Sequence, residues 1–437
     1  MKPKGLLIAV ADLAVLGGLT WWSNKKQAAA SKSAANATTK ILAIPGDQIQ
    51  DILIKKPTET LEVHREAGNT WRLTQPQPLP ADVDAASGLV TTLGTLNADT
   101  VVDAKATDLA PYGLQNPSLD VQIAEKNGKT DHLLIGDETP TGTGNYAKLA
   151  NDPRVFTVGS YAKTSIDKSP NDMRDKRLLT FDSDKLTRVE LQGKGETVEF
   201  GKNNSSDWQI LKPRPLRADG SQVDTLINAL KDARMDLTED SQKAAAAFGS
   251  APRVATTTVT DANGNQSIEV HKDKDNNYYA KSTAVAGIYK VTGDLGKSLD
   301  KGINDFRSKK LFDFGFSDPS YLEVQGVGYS KAGNDWTSGP KKMDNASVQT
   351  LIDKLRDLTA TTFEAEPGQE KVFEASVVSN QGKRTEKITI TKEGSKYFAK
   401  RQDDPSIYGL DAQAVEDLKK AASDVKEAAP PAPAKKK

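Results

Sequence analysis

The chain has 437 residues, room for two to four domains of ordinary size, and its 37% hydrophobic and 27% charged residues suit folded domains. Lys+Arg and Asp+Glu are both 59, so the formal net charge is zero and no global field draws the chain to nucleic acid. The lack of cysteine excludes disulfides, thiolate nucleophiles, zinc–thiolate centres and a lipidated N-terminal cysteine. The three histidines, His64, His132 and His271, share no ligand spacing, and no metal or cofactor is expected.

At the N-terminus Lys2 and Lys4 precede a largely apolar run from Gly5 to Trp22, closed by Trp21 and Trp22 and followed by Lys25 and Lys26. A run of about 18 residues is just long enough to span a hydrocarbon core, and tandem tryptophan suits the membrane interface. This predicts a signal-anchor over 1–26, single-pass in the cytoplasmic (inner) membrane, with the bulk of the chain extracytoplasmic. Asp12 within the run costs roughly 2.5–3.5 kcal/mol on insertion scales. The rival is a signal peptide cleaved in the small-residue stretch 28–37. Residues 27–40 read as a flexible spacer, and the Pro- and Lys-rich tail 428–437 as disordered.

Beyond the spacer the chain repeats itself. Ile49–Asp82 aligns without a gap with Leu186–Asp219 at a constant offset of 137, matching Trp71 with Trp208, Pro76 with Pro213, Pro78 with Pro215 and Leu79 with Leu216; a diverged third copy begins near Tyr321, with Trp336 in the tryptophan position. Each tryptophan is expected to end a second strand and pack under the helix that follows. Those helices are marked by Ala86, Leu89, Val90, Leu93 and Leu96; by Val223, Leu226, Ile227, Leu230 and Ala233; and by Val348, Leu351, Ile352, Leu355 and Leu358. The i, i+3, i+4, i+7 spacing puts each set on one helical face, and Asp82 and Asp219 stand where an N-cap is needed.

A hairpin follows in each copy, with turns at Asn127-Gly128, Asn263-Gly264 and Gln381-Gly382. A second strand pair carries its own signature, Tyr146-Ala147-Lys148, Tyr279-Ala280-Lys281 and Phe398-Ala399-Lys400, with a β-branched residue seven positions after each lysine. A second, more polar helix ends each copy, closing in the first two with 171–181 and 304–314. The expected fold is α+β: three tandem β-β-α-β-β-β-β-α modules with mostly antiparallel sheets, over 41–181, 182–314 and 315–427.

The motifs invite functional readings, each with a plainer rival. Trp71, Trp208 and Trp336 could form ligand platforms; a core position is preferred. Tyr146, Tyr279 and Phe398 are read as structural, with Lys148, Lys281 and Lys400 reaching solvent. The clusters Arg174, Lys176, Arg177 and Arg307, Lys309, Lys310 sit at helix ends, where cations favour the dipole. They are read as caps or inter-module contacts, with an acidic partner or lipid headgroup as the functional alternative. Gly142-Thr143-Gly144-Asn145 lacks the order of a phosphate loop, and no carboxylate pair stands out.

The Trp71, Pro76, Pro78, Asp82 segment, the Tyr112-Gly113-Leu114 element before Pro117 and the Leu134-Ile135-Gly136 strand end resemble domain-of-unknown-function family 4340, over roughly residues 45–420. The resemblance implies a membrane anchor, an exported repeat region and an association with ABC-type export systems related to gliding motility. It assigns no catalytic residues. The expectation is a non-enzymatic, membrane-anchored extracytoplasmic binding or scaffold protein, an accessory to an ABC-type transporter. The alternatives are an envelope hydrolase with a carboxylate site and a soluble periplasmic ligand-binding protein.

Overall fold

The computed structural model describes residues 39–204, 206–316 and 319–429. The expected anchor 1–26 and almost all of the spacer and tail lie outside the described residues. Among the described residues no helix is long and apolar enough to cross a membrane. The chain divides into two compact units, Met1–Lys176 and Arg177–Lys437; the first holds one large sheet and the second holds two.

The three sheets have nine, eight and nine strands, and every pairing in them is antiparallel. Each consists of two meanders joined through their first strands. In the first unit Ile49–Lys55 pairs with Leu119–Glu125, with Ile52 opposite Ile123. The same junction is Arg188–Gly193 with Arg253–Asp261, and Tyr321–Val324 with Glu370–Ser379. Alternation explains the arrangement: Leu119, Val121 and Ile123 are buried while the residues between them stay half-exposed, so one face of the sheet enters a core. Helix α1 (Val83–Gly94), α2 (Gly220–Lys231) and α3 (Asn345–Arg356) link the meanders. They bury Leu89, Leu226 and Leu351 with their neighbours. Asp82, Asp219 and Asp344 cap them through their side chains, each satisfying a free backbone N–H.

The module pattern differs from expectation in four ways. A third strand and a two-residue fourth precede each helix, and the tryptophan is the first or second residue of the third strand rather than the end of the second: Trp71–Gln75, Trp208–Lys212 and Asp335–Ser338. Tight reversals set this up, with Gly68 at φ 75, Ser206 at φ 66 and Gly333 at φ 62, a region favourable to glycine. After α1 and α3 an extra strand, Thr100–Asp103 or Ala360–Glu364, closes the far edge of its sheet. In the second module only the Asp236–Lys290 bridge stands there. Finally, the turn expected at Asn263-Gly264 is Ala262-Asn263, since Gly264 already pairs with Asp261.

The module boundaries also move. Leu178, Leu179 and Phe181 pack in the second core, and Leu311, Phe312 and Phe314 in the third. The last few residues of 41–181 and 182–314, from Leu178 and from Leu311, therefore open the modules that follow. The backbone repeats the same step three times: Ile41, Leu178 and Leu311 donate their N–H groups to the carbonyls of Leu96, Ala233 and Leu358, the residues just past the three helices. Module exits repeat too, with Asp82, Asp219 and Asp344 donating to Met173, Phe306 and Lys426.

Candidate functional site

The leading segments of the second and third modules, irregular chain over 178–181 and 311–314, are held by side chains from their own sheets. In the second module Gln266 Oε1 accepts from the Thr180 N–H at 2.8 Å, and the Ser282 hydroxyl donates to the Leu178 carbonyl. In the third, Glu386 Oε1 accepts from the Asp313 N–H at 2.8 Å, and the Arg401 guanidinium donates to the Leu311 carbonyl. The backbone groups and sheet positions correspond; a neutral pair is replaced by an ion pair.

The replacement builds a charged network. Arg401 is 2% exposed. It reaches Glu386 Oε1 at 3.2 Å and grips Asp403 at 2.9 and 2.8 Å through Nε and Nη2. From the second module, Arg217 holds both Asp313 oxygens at 2.6 and 2.7 Å, the Lys310 carbonyl at 2.7 Å and the Tyr408 hydroxyl at 3.2 Å. Such bidentate pairs fix geometry as well as charge. Burial pushes the Glu386 carboxyl above the usual carboxylate range despite Arg401. Burial works against the Asp403 carboxylate as well, but Arg401 outweighs it and holds Asp403 low. Burial would lower the Arg401 guanidinium; Asp403, Asp313 and Glu386 raise it instead. Glu386 Oε2 is buried with no hydrogen-bond partner among the described residues.

These residues line a groove of about 800 Å³ between the second and third modules. Its second-module wall includes Lys202, Asp207, Trp208, Arg217 and Asp224, and its third-module wall Asp313, Arg384, Glu386, Arg401, Asp403 and Asp404. The arrangement offers polar recognition by hydrogen bonds and charge.

The residues singled out in the sequence fall mostly elsewhere. Trp71, Trp208 and Trp336 are buried, each directly opposite a cation on the neighbouring strand: Arg65, Lys202 and Lys331. The cations lie 4.5, 5.0 and 6.0 Å from the ring centroids, within cation–π range. Only Trp208 borders the groove, and its indole N–H is used by Asp224 at 3.1 Å. Tyr279 and Phe398 are buried, whereas Tyr146 is half-buried edge-on to Tyr112. Lys281 and Lys400 are exposed as expected, but Lys148 is buried, its ammonium donating to the Leu149 and Asp152 carbonyls. That carbonyl pair takes the place of water.

The basic clusters do not act as units. Arg174 bridges to Ala81 within the first unit, and Lys176 stays half-exposed. Arg177 bridges to Arg234. Arg307 is buried over the Phe363 ring at 3.5 Å and bonded to Asn304, and burial lowers its pKa. Lys309 and Lys310 are exposed, and their backbones bond the third module and Arg217. Arg307 is thus an inter-module contact. His64, His132 and His271 each lie beside a carboxylate, Asp51, Asp120 and Glu269, and no cluster able to hold a metal occurs among the described residues.

Sequence reasoning missed the groove residues. A signal was present: Arg401 follows the Phe-Ala-Lys signature where the other copies have Leu149 and Ser282, so a cation occupies a core-facing strand position.

The fold is that of an antiparallel α+β repeat protein whose modules share one sheet order. Within this class the chain belongs to the family described as a domain of unknown function (DUF4340), whose model matches residues 71–210 and 208–372. Comparisons with curated proteins and with solved structures find no match.

Proposed function

We propose that this chain is a non-enzymatic, membrane-anchored extracytoplasmic binding or scaffold protein assembled from three copies of one module. The observation that carries the reading is the joined second and third modules: one sheet plan used twice, locked by Arg217 on Asp313, with a polar groove between them. Repetition with interlocked neighbours makes an extended recognition surface, and the Gly5–Trp22 run would fix that surface beside a membrane partner. The proposed partner is an ABC-type transporter, chosen on the family resemblance alone. The test is crosslinking in native membranes, with mass spectrometry of the captured partners and of this protein's own N-terminus. Transporter subunits recovered with Met1–Lys26 retained support the reading; a retained N-terminus with no membrane protein captured sinks it.

The groove also favours a second reading, a soluble periplasmic ligand-binding protein. It requires a mature chain beginning near residue 30, which the same experiment reads directly.

A further inference from the structure

The groove between the second and third modules carries an inference about what it takes. Six carboxylates border it, Asp207, Asp224, Asp313, Glu386, Asp403 and Asp404, against four cations, Lys202, Arg217, Arg384 and Arg401. Every one of those cations is occupied. Lys202 lies over the Trp208 ring, Arg217 grips Asp313, Arg384 donates to the Asp313 carbonyl at 3.0 Å, and Arg401 serves Asp403, Glu386 and the Leu311 carbonyl.

The acceptors are not used up. Glu386 is 2% exposed and its Oε2 has no partner. Asp404 is 4% exposed and spends Oδ1 on the Ser406 N–H at 2.6 Å. The exposed Asp207 carboxylate takes no hydrogen bond from a described residue; its backbone N–H and carbonyl are both engaged with Asn203. A buried acceptor without a donor is costly; the groove keeps one in Glu386 Oε2, beside the buried Asp404 and the exposed Asp207, and such a wall is complementary to a donor-rich guest.

We infer that this groove binds a cationic, donor-rich group, an ammonium or guanidinium, with Glu386, Asp404 and Asp207 as its acceptors. Such a guest has donors in surplus and no acceptor to satisfy. Arg217 and Arg401 limit repulsion because their charge is already matched by the Asp313 and Asp403 carboxylates. Oε2 of Glu386 has almost no exposed surface, so a donor reaches it as the groove closes around the guest or through a bridging water. An anionic guest would meet six carboxylates and, among the described residues, only two cations without a carboxylate partner, Lys202 and Arg384. The inference goes beyond the scaffold reading and stands or falls apart from it.

The second module supplies the test. Gln266 holds the Thr180 N–H just as Glu386 holds that of Asp313, so Glu386→Gln keeps the backbone clasp and removes only the carboxylate. Titration calorimetry on the full chain, solubilised with its N-terminal segment, uses two probes: spermidine and a short peptide carrying two arginines. Saturable binding by the native chain, weakened at least tenfold by Glu386→Gln and by Asp404→Asn and unchanged by the remote Lys281→Ala, supports the inference. Preference for spermidine identifies a free polyamine as the source, and preference for the peptide a protein side chain. No saturable binding of either probe overturns it. So does binding that Glu386→Gln leaves intact in a variant whose circular dichroism and thermal midpoint match the native chain. The crosslinking readout does not depend on these titrations, so the two failures are distinguishable.

Discussion

In the second module a glutamine and a serine hold the leading segment; in the third a glutamate and an arginine hold the same two backbone groups. The neutral pair shows what the task requires: one acceptor for an amide and one donor for a carbonyl. The charged pair adds desolvation cost and needs Asp403 and Asp313 to balance it. Burying an ion pair is seldom a net stabiliser compared with a neutral replacement. The charge at the third module's clasp therefore matters less for holding the segment than for what it does to the groove wall.

Four measurements would break or sharpen this comparison. The largest effect is expected from Arg401→Ala, which leaves Glu386 and Asp403 uncompensated; chemical denaturation should show a loss of about 3–5 kcal/mol, the scale for removing one partner of a buried pair. A loss under about 1 kcal/mol would mean that the network is already solvated. Installing the second module's solution in the third, Glu386→Gln with Arg401→Ser, should cost far less than Arg401→Ala alone. A double variant as unstable as the single one would show that shape, not charge, governs the site.

The third measurement is the pH dependence of unfolding. Glu386 has a raised folded pKa, so its penalty is absent below the ordinary carboxylate range and appears as pH rises through that range toward the raised value. Glu386→Gln should thus gain on the native chain with rising pH and show no such trend in acid. Asp403 has a lowered folded pKa, so its contribution is present above the ordinary carboxylate range and lost as pH falls. Asp403→Asn should be at its greatest disadvantage near neutrality. Parallel curves for the two variants would refute the assignment. The smallest effect is expected at the caps: Asp219→Ala and Asp344→Ala should each cost about 1 kcal/mol, and equal values would show that the two modules differ at the clasp and not at the helix.

Much of the fold was legible because periodicity reports burial directly. The helix faces at Leu89, Leu226 and Leu351 and the alternation at Leu119, Val121 and Ile123 read correctly. The third strand escaped because it is five residues or fewer and follows a turn that looks like loop continuation. The boundaries slipped because 171–181 and 304–314 resemble each other, and likeness within the chain does not say which core a segment enters. The copy beginning Lys40-Ile41-Leu42, comparable with Arg177-Leu178-Leu179 and Lys310-Leu311-Phe312, would have placed it. The groove was illegible for a different reason. Arg217, Glu386 and Arg401 are far apart in sequence, and each taken alone is an ordinary charged residue.

The leading segment of each module also fixes where the chain can be cut. A fragment starting at residue 182 or 315 would leave behind three apolar side chains, Leu178, Leu179 and Phe181 or Leu311, Phe312 and Phe314, and open a slot in the core meant to receive them. Cuts ahead of the exposed residues Arg177 and Lys310 spare those cores. The natural unit for expression, exchange or duplication is therefore a cassette that opens on a basic residue followed by two large aliphatic or aromatic ones, several residues earlier than the repeat in the sequence suggests.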